Sequence, residues 1–436
     1  MATATKVQLT PGEWPIYYRE GITTEPSQRA SDLLQENHEQ HHIFVKRTGF
    51  HNHIAHHLLT LWALKGSTEQ IQSAYDHNKD YQGATTPPQE SVVLDMHDRT
   101  KWKSFLGNGK YYNDFLQFFQ DEIKKSSWQE VVQKYVFAGD ERANDILVRL
   151  FAGFLHPIIH LGFGIEFQQP SIMAEGLAQA AVHDNWIGDL FWKTEEASKT
   201  HRNELSKGIA QLLEEIHADK ELSNSPHWSD GNKIRDGVLA RAGDRMAAIA
   251  SQFHLKPADL AEKTAEMINV AAYYAAGAQR NDHVVKYDFY FMHCVNSSIF
   301  FSAFLKQDWL SEANKVRLLE WKVWLDLAMY ASRKSPDIRL DIVRAYKPNV
   351  PSGWDGIQDR VVGYPDDGHA AKLVRALAHG QVVSQPYEDN EAFRIKQDDW
   401  LQMGHMAIDS VEAGKPTWVK SAGFDEAWEE VPRAQL

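Results

Sequence analysis

The sequence predicts an all-α protein, a large multi-helix bundle with its site buried between helices. Three observations predict this class. Apolar residues recur at helical spacing in most segments, no segment alternates apolar and polar residues over a strand's length, and short Gly-, Pro- and Ser-bearing stretches separate the apolar runs. Apolar residues make up 43% of the 436 positions, which is ample material for a buried core.

The helical periodicity divides the chain into segments of ordinary helix length. At the second of them, Phe50, Ile54 and Leu58 form an apolar line, Gly66 gives a C-terminal signal, and Ser67 can cap the next helix. The predicted helices cover about 27–44, 50–64, 67–78, 111–124, 128–137, 140–160, 172–192, 201–220, 233–253, 257–279, 286–305, 311–329, 335–346 and 368–379.

We expect one helical domain over residues 1–436, with two closely packed halves as the alternative. Residues 1–25 carry prolines and predict an irregular arm. Residues 347–368 are rich in Pro and Gly and predict a long, lid-like loop. Residues 411–436 predict a polar C-terminal tail.

The composition excludes several classes of protein. A net charge of −13 and a pI near 5.9 argue against binding to nucleic acid or to an anionic membrane surface. No uninterrupted apolar run reaches membrane-spanning length. Cys294 is the single cysteine, which excludes an internal disulfide and a cysteine-ligated metal cluster. We therefore expect a reduced, cytoplasmic protein, and its 21 His and 14 Trp indicate a site of imidazoles beside aromatic rings.

The segment 155–166 is apolar almost all round, which predicts a buried helix. On a continuous helix over 140–160, Arg149, Gly153, His156 and His160 would lie on one line. Two histidines one turn apart can both bind one metal ion. Two core histidines bonded to carbonyl groups are the alternative.

Histidines stand on apolar helix faces in four separate segments, which favours convergence on one centre. The alternative is that they line different helix contacts and bond to the backbone. The set is His53 with His57, His156 with His160, His293, and His369.

A centre rich in imidazoles suits Zn, Fe, Cu or Ni, and the absence of H-E-x-x-H argues against a zinc peptidase. Neutral imidazoles leave a divalent ion fully charged, so an anionic ligand is expected. Glu166 is one candidate, and it can equally cap or pair. Lys372 is the other, provided that carbon dioxide carbamylates its neutral amine.

Rival cofactor classes leave weaker signals. A di-iron carboxylate site needs Glu-x-x-His pairs, and Glu39-x-x-His42 and Glu214-x-x-His217 lie in polar surroundings that predict a solvated face. The glycine pairs at 107–109 and 162–164 lack the third glycine and the strand of a dinucleotide fingerprint.

Four stretches together resemble the questin oxidase-like family of fungal polyketide-tailoring enzymes. They are FHNHIAHH (50–57), LHPIIHLGFGIEF (155–167), DFYFMHCV (288–295) and GHAAKLVRAL (368–377). The resemblance extends from about residue 14 to 380.

The resemblance implies oxidative opening of the central ring of an anthraquinone. It also implies a mononuclear non-haem Fe(II) centre that uses O₂, or a Baeyer–Villiger-type oxidase that uses NADPH without metal. With the residues above, the implied metal ligands are His57, His156, His160, His293, His369 and carbamylated Lys372, and the implied catalytic residues are His57, His293 and Lys372. This set is one ligand too long for an octahedral iron with an open position, so at least one histidine is expected outside the ligand shell.

The expected partners are O₂ and a phenolic anthraquinone, with NADPH as a candidate reductant for the iron enzyme. The rings considered for the substrate pocket are Trp62, Phe163, Trp186 and Tyr290. A helical binding protein for an aromatic metabolite is the alternative from a different class.

Overall fold

The computed structural model describes residues 1–12, 15–46 and 50–434. Two positions of the predicted arm (13–14) and the last two of the predicted tail (435–436) lie outside these residues. Over the described residues the secondary structure is overwhelmingly helical, which confirms the all-α prediction.

The chain forms two compact units. The first comprises Met1–Ile187, Lys306–Leu310 and Val362–Arg375, and the second comprises Gly188–Leu305, Ser311–Val361 and Ala376–Leu436. The α-helices are numbered in order along the whole chain and are grouped by unit below.

The helices of the first unit come from its long N-terminal part. They are α1 (Thr24–Gln40), α2 (Ile54–Ala63), α3 (Thr68–Asn78), α4 (Glu90–Asp95), α5 (Tyr112–Lys125), α6 (Trp128–Val132), α7 (Glu141–Leu150), α8 (His156–Glu166) and α9 (Pro170–Val182). The first turns of a later helix, α19, also belong to this unit.

The second unit holds the remaining helices. They are α10 (Gly188–Ser198), α11 (Ile209–Ala218), α12 (Lys220–Ser223), α13 (Ala240–Ala250), α14 (Leu260–Gly277), α15 (Phe289–Leu305), α16 (Glu312–Ser332), α17 (Leu340–Ala345), α18 (Trp354–Val362), the later turns of α19 (His369–Ser384) and α20 (Gln397–Glu412).

A two-stranded antiparallel sheet departs from the helical prediction. The helix expected to reach residue 44 ends at Gln40, and β1 (His41–Val45) pairs with β2 (Gln82–Ala84). Branched and aromatic side chains in β1 favour an extended chain, and strands this short show no readable alternation in the sequence.

The predicted continuous helix over 140–160 is wrong, because the chain turns sharply inside it. After α7 a short 3₁₀ turn (Gly153–Leu155) has three positive φ angles, and the helices on either side are bent by 66°. Pro157 lacks an N–H and disfavours the α conformation before it, so it restarts the helix rather than continuing it. Arg149 therefore leaves the line of His156 and His160, and it pairs with Asp145 at 3.1 Å.

The predicted lid-like loop over 347–368 contains α18 (Trp354–Val362), so the prediction of a continuous loop is wrong. Ile357 and Val361 are buried and lie one turn apart on this helix. Prolines and glycines flank this helix on both sides, and for that reason the short amphipathic segment between them was not predicted as a helix.

The C-terminal segment is not a uniformly polar tail. Helix α20 extends to Glu412, and Val419, Phe424 and Trp428 are buried beyond it. Apolar anchors spaced several residues apart do not form a helical pattern, which is why periodicity missed them.

Among the described residues, no single helix is long and apolar enough to cross a membrane. Helix α7 and the segment Gly153–Glu166 reach that length and composition only when they are taken together, across their 66° bend.

Candidate metal centre

Three buried histidines of the first unit bring one nitrogen each to a common point. Ligand atoms of His53, His156 and His369 all lie within 4.8 Å of one another. His53 directly precedes α2, and the other two are the first residues of α8 and α19. We call these three residues the histidine triad.

Oxygen partners fix the tautomer of each ring in the triad. The Nδ1 of His53 lies 2.9 Å from Asp367 Oδ2, and the Nδ1 of His369 lies 2.5 Å from Asp367 Oδ1. The Nδ1 of His156 lies 2.6 Å from the carbonyl oxygen of Gly153. A carbonyl or an ionised carboxylate only accepts, so each Nδ1 carries the proton and each neutral ring presents a bare Nε2.

Two of these bare nitrogens face each other. The Nε2 atoms of His53 and His156 are 2.8 Å apart, and two lone pairs at that distance repel unless a positive charge lies between them. Two nitrogens bound at right angles to one ion, each about 2.1 Å from it, would be about 3 Å apart. The triad therefore fits a metal ion, which would accept all three lone pairs.

The electrostatics keep imidazoles neutral here, as metal binding requires. Burial, together with the charge of Lys372, lowers the pKa of His53 to about 3 despite its bond to Asp367. Burial also lowers the pKa of His57 to about 3.

Asp366 and Asp367, the acidic pair before α19, have different partners. Asp366 caps the helix, because its carboxylate accepts from the N–H groups of Gly368 and Ala370 at 2.6 and 2.9 Å. Asp367, whose side chain is 37% exposed, bridges His53 and His369. Partial burial raises the pKa of Asp367, but the charges and hydrogen bonds of these two rings outweigh it and hold that pKa well below its usual value.

Lys372 lies one turn after His369 on α19 and is buried. Burial lowers the pKa of its amine to about 8, although the charges of Asp367 and Asp366 oppose that shift. A lysine with this pKa is partly neutral near pH 7, which is the form that reacts with carbon dioxide.

His57 is the most poorly satisfied histidine of the described first unit. Both ring nitrogens are buried without a hydrogen-bond partner, and the ring packs against Gly368, where any Cβ would lie 2.7 Å from it. An unpaired buried imidazole costs about 1–3 kcal/mol, so these two nitrogens are suited to binding a ligand.

His160 does not join the triad, because both of its nitrogens have partners. Its Nδ1 lies 3.0 Å from His56 Nε2, and its Nε2 lies 2.7 Å from Glu175 Oε2. Glu175 also contacts His38, whose Nδ1 lies 2.5 Å from Oε1. A metal bound to His160 would have to displace one of these partners.

A further pair of histidines, His51 and His183, packs against the triad. The ring of His51 stacks on His156 with centroids 3.9 Å apart, and its Nε2 lies 2.7 Å from His183 Nε2. His183 donates its Nδ1 proton to the carbonyl of Gln179 at 2.6 Å. The stack restrains the plane of His156.

Glu166, one of the two anionic ligands considered, is already paired. Its carboxylate forms a bidentate ion pair with Arg375, with Nη1 and Oε2 3.1 Å apart, and also accepts from the N–H of Ile16 at 2.8 Å. The guanidinium donates in turn to the carbonyl of Tyr17. Pairing, the alternative considered for Glu166, is what the structure has.

His293 lies in the second unit, on α15, where it is buried and donates from Nδ1 to the carbonyl of Phe289 at 2.6 Å. Its role as a ligand stays a prediction, as do the roles of His57 and His160.

Of the aromatic candidates, Phe163 stacks on His56 at 5.0 Å, whereas Trp62 donates to Ser27. Glu39, Glu214 and His217 are exposed and His42 is only partly buried, in line with the solvated face predicted for those motifs.

Sequence reasoning missed two carboxylates that organise the histidines. Asp367 was not among the predicted site residues, although it lies only two residues from His369. Glu175 is the one ionisable residue of α9, and that isolation in an otherwise uncharged helix was the signal that could have revealed it.

Comparison with known proteins identifies the class. The chain is 41% identical to a Baeyer–Villiger oxidase of Pestalotiopsis fici, covering 92% of this chain and 93% of the relative. It is 39% identical to a Baeyer–Villiger monooxygenase of a Cryptosporiopsis species, covering 98% of each. It is 36% identical to the questin oxidase of Aspergillus terreus, covering 99% of this chain and 98% of that protein.

These relatives define an oxidoreductase. The profile of the questin oxidase-like family matches residues 50–377, a span that includes every residue of the histidine triad. The chain belongs to the questin oxidase-like family.

Proposed function

We propose that this protein is an oxygenase of polyketide secondary metabolism that opens the central ring of an anthraquinone with O₂ at a mononuclear non-haem iron. The family and the names of its relatives support an oxidative reaction on a small aromatic compound. The convergence of one nitrogen from each ring of the triad, with the Nε2 atoms of His53 and His156 2.8 Å apart, supports the metal. A cytoplasmic location belongs to the same proposal.

The proposed ligands are the imidazoles of His53, His156 and His369. Asp367 accepts the Nδ1 protons of His53 and His369, and the carbonyl of Gly153 accepts that of His156, so these contacts fix the orientation of all three rings. Burial of the rings excludes water from the lone pairs. Ferrous iron, when bound, supplies the binding and activation of O₂.

Lys372 is the proposed anionic ligand in carbamylated form. The neutral amine adds to carbon dioxide, forming an N–C bond and releasing a proton, and the product is a carboxylate on a long side chain. The lowered pKa of Lys372 and its place one turn after His369 support this assignment. The negative charge would offset the charge that three neutral imidazoles leave on a divalent ion.

The test is metal content and oxygen uptake on a hydroxylated anthraquinone with the full chain. We expect about one iron per chain, uptake that is lost after anaerobic chelation, and recovery with Fe(II) but not with Zn(II). Undiminished uptake by metal-free protein would contradict the iron proposal.

The second candidate is a Baeyer–Villiger-type oxidase that uses NADPH and no metal; the names of several relatives support the Baeyer–Villiger reaction. It predicts uptake that depends on NADPH and persists in chelator. Binding of the anthraquinone with no uptake under any condition would favour the helical binding protein instead.

A further inference from the structure

A chain of hydrogen bonds runs through the first unit from a surface cleft to a buried ring beside the triad. The cleft has a volume of about 440 Å³ and is lined by His38, Gln120 and residues of the 85–88 segment. Gln120 contacts His38, His38 contacts Glu175, Glu175 contacts His160, and His160 contacts His56.

The carboxylate of Glu175 fixes the direction of the protons in this chain. Its Oε2 accepts, so the Nε2 of His160 carries the proton, and in the neutral ring the Nδ1 of His160 is bare. That bare Nδ1 must then accept from the Nε2–H of His56, 3.0 Å away. A neutral His56 consequently has its proton on Nε2 and a lone pair on Nδ1.

The Nδ1 of His56 is where this chain stops. It is buried and has no hydrogen-bond partner, and the ring is held in place by stacking on Phe163 with an interplanar angle of 14°. A buried lone pair without a partner needs a donor from a ligand.

We infer that Glu175, acting through His160, sets the tautomer of His56 so that His56 Nδ1 accepts a hydrogen bond from a phenolic hydroxyl of the bound aromatic substrate. This inference deepens the proposed function and rests on it for the class of substrate. It makes His56 a substrate-binding residue and Glu175 a positioning residue. A phenolic hydroxyl is a strong hydrogen-bond donor, which suits a neutral imidazole nitrogen as its acceptor.

The first experiment reads the tautomers directly. In the full chain, freed of paramagnetic iron and labelled with ¹⁵N in histidine, two-bond correlations distinguish protonated from bare ring nitrogens, and His56→Phe assigns the signals of His56. We expect a bare Nδ1 on His56 in the wild type. Glu175→Met removes the acceptor, so we expect the proton of His160 to move from Nε2 to Nδ1. That N–H then donates to His56 Nε2, and we expect the proton of His56 to move to its Nδ1. A protonated Nδ1 on wild-type His56 would overturn the inference.

The second experiment tests the ligand without turnover. Anaerobic binding of 1,8-dihydroxyanthraquinone is compared with that of its dimethoxy analogue, which lacks the hydroxyl protons. We expect the wild type to prefer the dihydroxy compound, and His56→Phe and Glu175→Met to reduce that preference about tenfold, because a hydrogen bond to a buried acceptor is lost. His77→Phe, at an exposed position on α3, is the matched control and should keep the preference.

The outcomes separate this inference from the proposed function. Equal affinity of the wild type for the two compounds, or binding of neither, overturns the role of His56. If the wild type prefers the dihydroxy compound but shows no oxygen uptake, the oxygenase proposal is contradicted and the role of His56 is still supported. Loss of iron in His56→Phe, with the ratio of affinities unchanged, would make His56 a metal ligand and overturn the inference.

Discussion

The Nε2 atoms of His53 and His156 lie 2.8 Å apart, although both rings already donate their Nδ1 proton to an oxygen. Such a pair is repulsive in a neutral protein and favourable around a cation. The residues that bring it about are 103 positions apart in the sequence, which makes the contact a product of folding rather than of local spacing. The predictions below test this site and the buried ion pair between Glu166 and Arg375.

Asp367→Asn should weaken metal binding by about 10–100-fold, because one carboxylate holds the Nδ1 protons of both His53 and His369. An amide has only one acceptor atom for two N–H donors, so one ring of the triad loses its orientation. Competition for Fe(II) with a coloured chelator measures the affinity. Asp76→Asn, on the exposed side of α3, is the control and should bind metal like the wild type.

Unchanged iron affinity in Asp367→Asn, with a normal fold by circular dichroism, would contradict the role of the triad.

Lys372→Met should lose iron and oxygen uptake, because it removes the side chain that carbamylation would turn into a ligand. Lys372→Glu should retain more iron than Lys372→Met, since it supplies a carboxylate on a shorter stem. Growth or incubation with ¹³C-bicarbonate should give one carbamate signal by ¹³C NMR in the wild type that both variants lack.

The exposed Lys110 provides the control, since Lys110→Met should leave iron content and the carbamate signal unchanged. Full iron and full turnover in Lys372→Met would rule out Lys372 as a ligand.

The metal-free protein should lose stability as the pH falls from about 6.5 towards 3. The pKa values of buried His53 and His57 are lowered to about 3 in the folded state, so the unfolded chain takes up protons that the folded chain does not. Each group then contributes a slope of about 1.4 kcal/mol per pH unit in this window. Urea unfolding at several pH values, with chelator present, measures the slope.

His57→Leu should reduce that slope by one group and raise the stability of the metal-free protein by about 1–3 kcal/mol at pH 7.5, because it removes two unsatisfied buried nitrogens. His77→Leu, at an exposed position, should change neither quantity. A His57→Leu protein less stable than wild type without metal would show that His57 is satisfied in a way the structure does not contain.

Arg375→Met should destabilise the protein by about 3–5 kcal/mol, because it leaves the carboxylate of Glu166 buried and unpaired. The double variant Glu166→Gln/Arg375→Met should recover part of that loss. Both should cleave faster near Ile16 and Tyr17 in limited proteolysis, since the ion pair holds the backbone of both residues.

Lys101→Met breaks an exposed ion pair with Asp95 and serves as the control, with no measurable change in stability expected. Equal stability of Arg375→Met and wild type would show that the buried pair contributes nothing to the fold.

Local sequence patterns were enough to predict the helical class and the spacing of the histidines. Helix propensity, capping and periodicity act within a few residues, so the apolar faces of α8 and α19 and the i, i+4 relation of His156 and His160 were readable. The same local signals gave a wrong prediction for the 140–160 segment, where Pro157 and three positive φ angles interrupt the helical pattern of apolar residues.

Which histidines meet, and in which tautomer, depends on contacts formed by folding. His160 has the spacing of a ligand, yet folding brings His56 and Glu175 to its two nitrogens, while His53 and His369 take places beside His156. Those choices depend on contacts between segments distant in sequence and on a carboxylate, Asp367, that can face two rings only after α19 has packed in place. Spacing along one helix carries no information about such contacts, because it describes neighbours within a turn and not the packing of one helix against another.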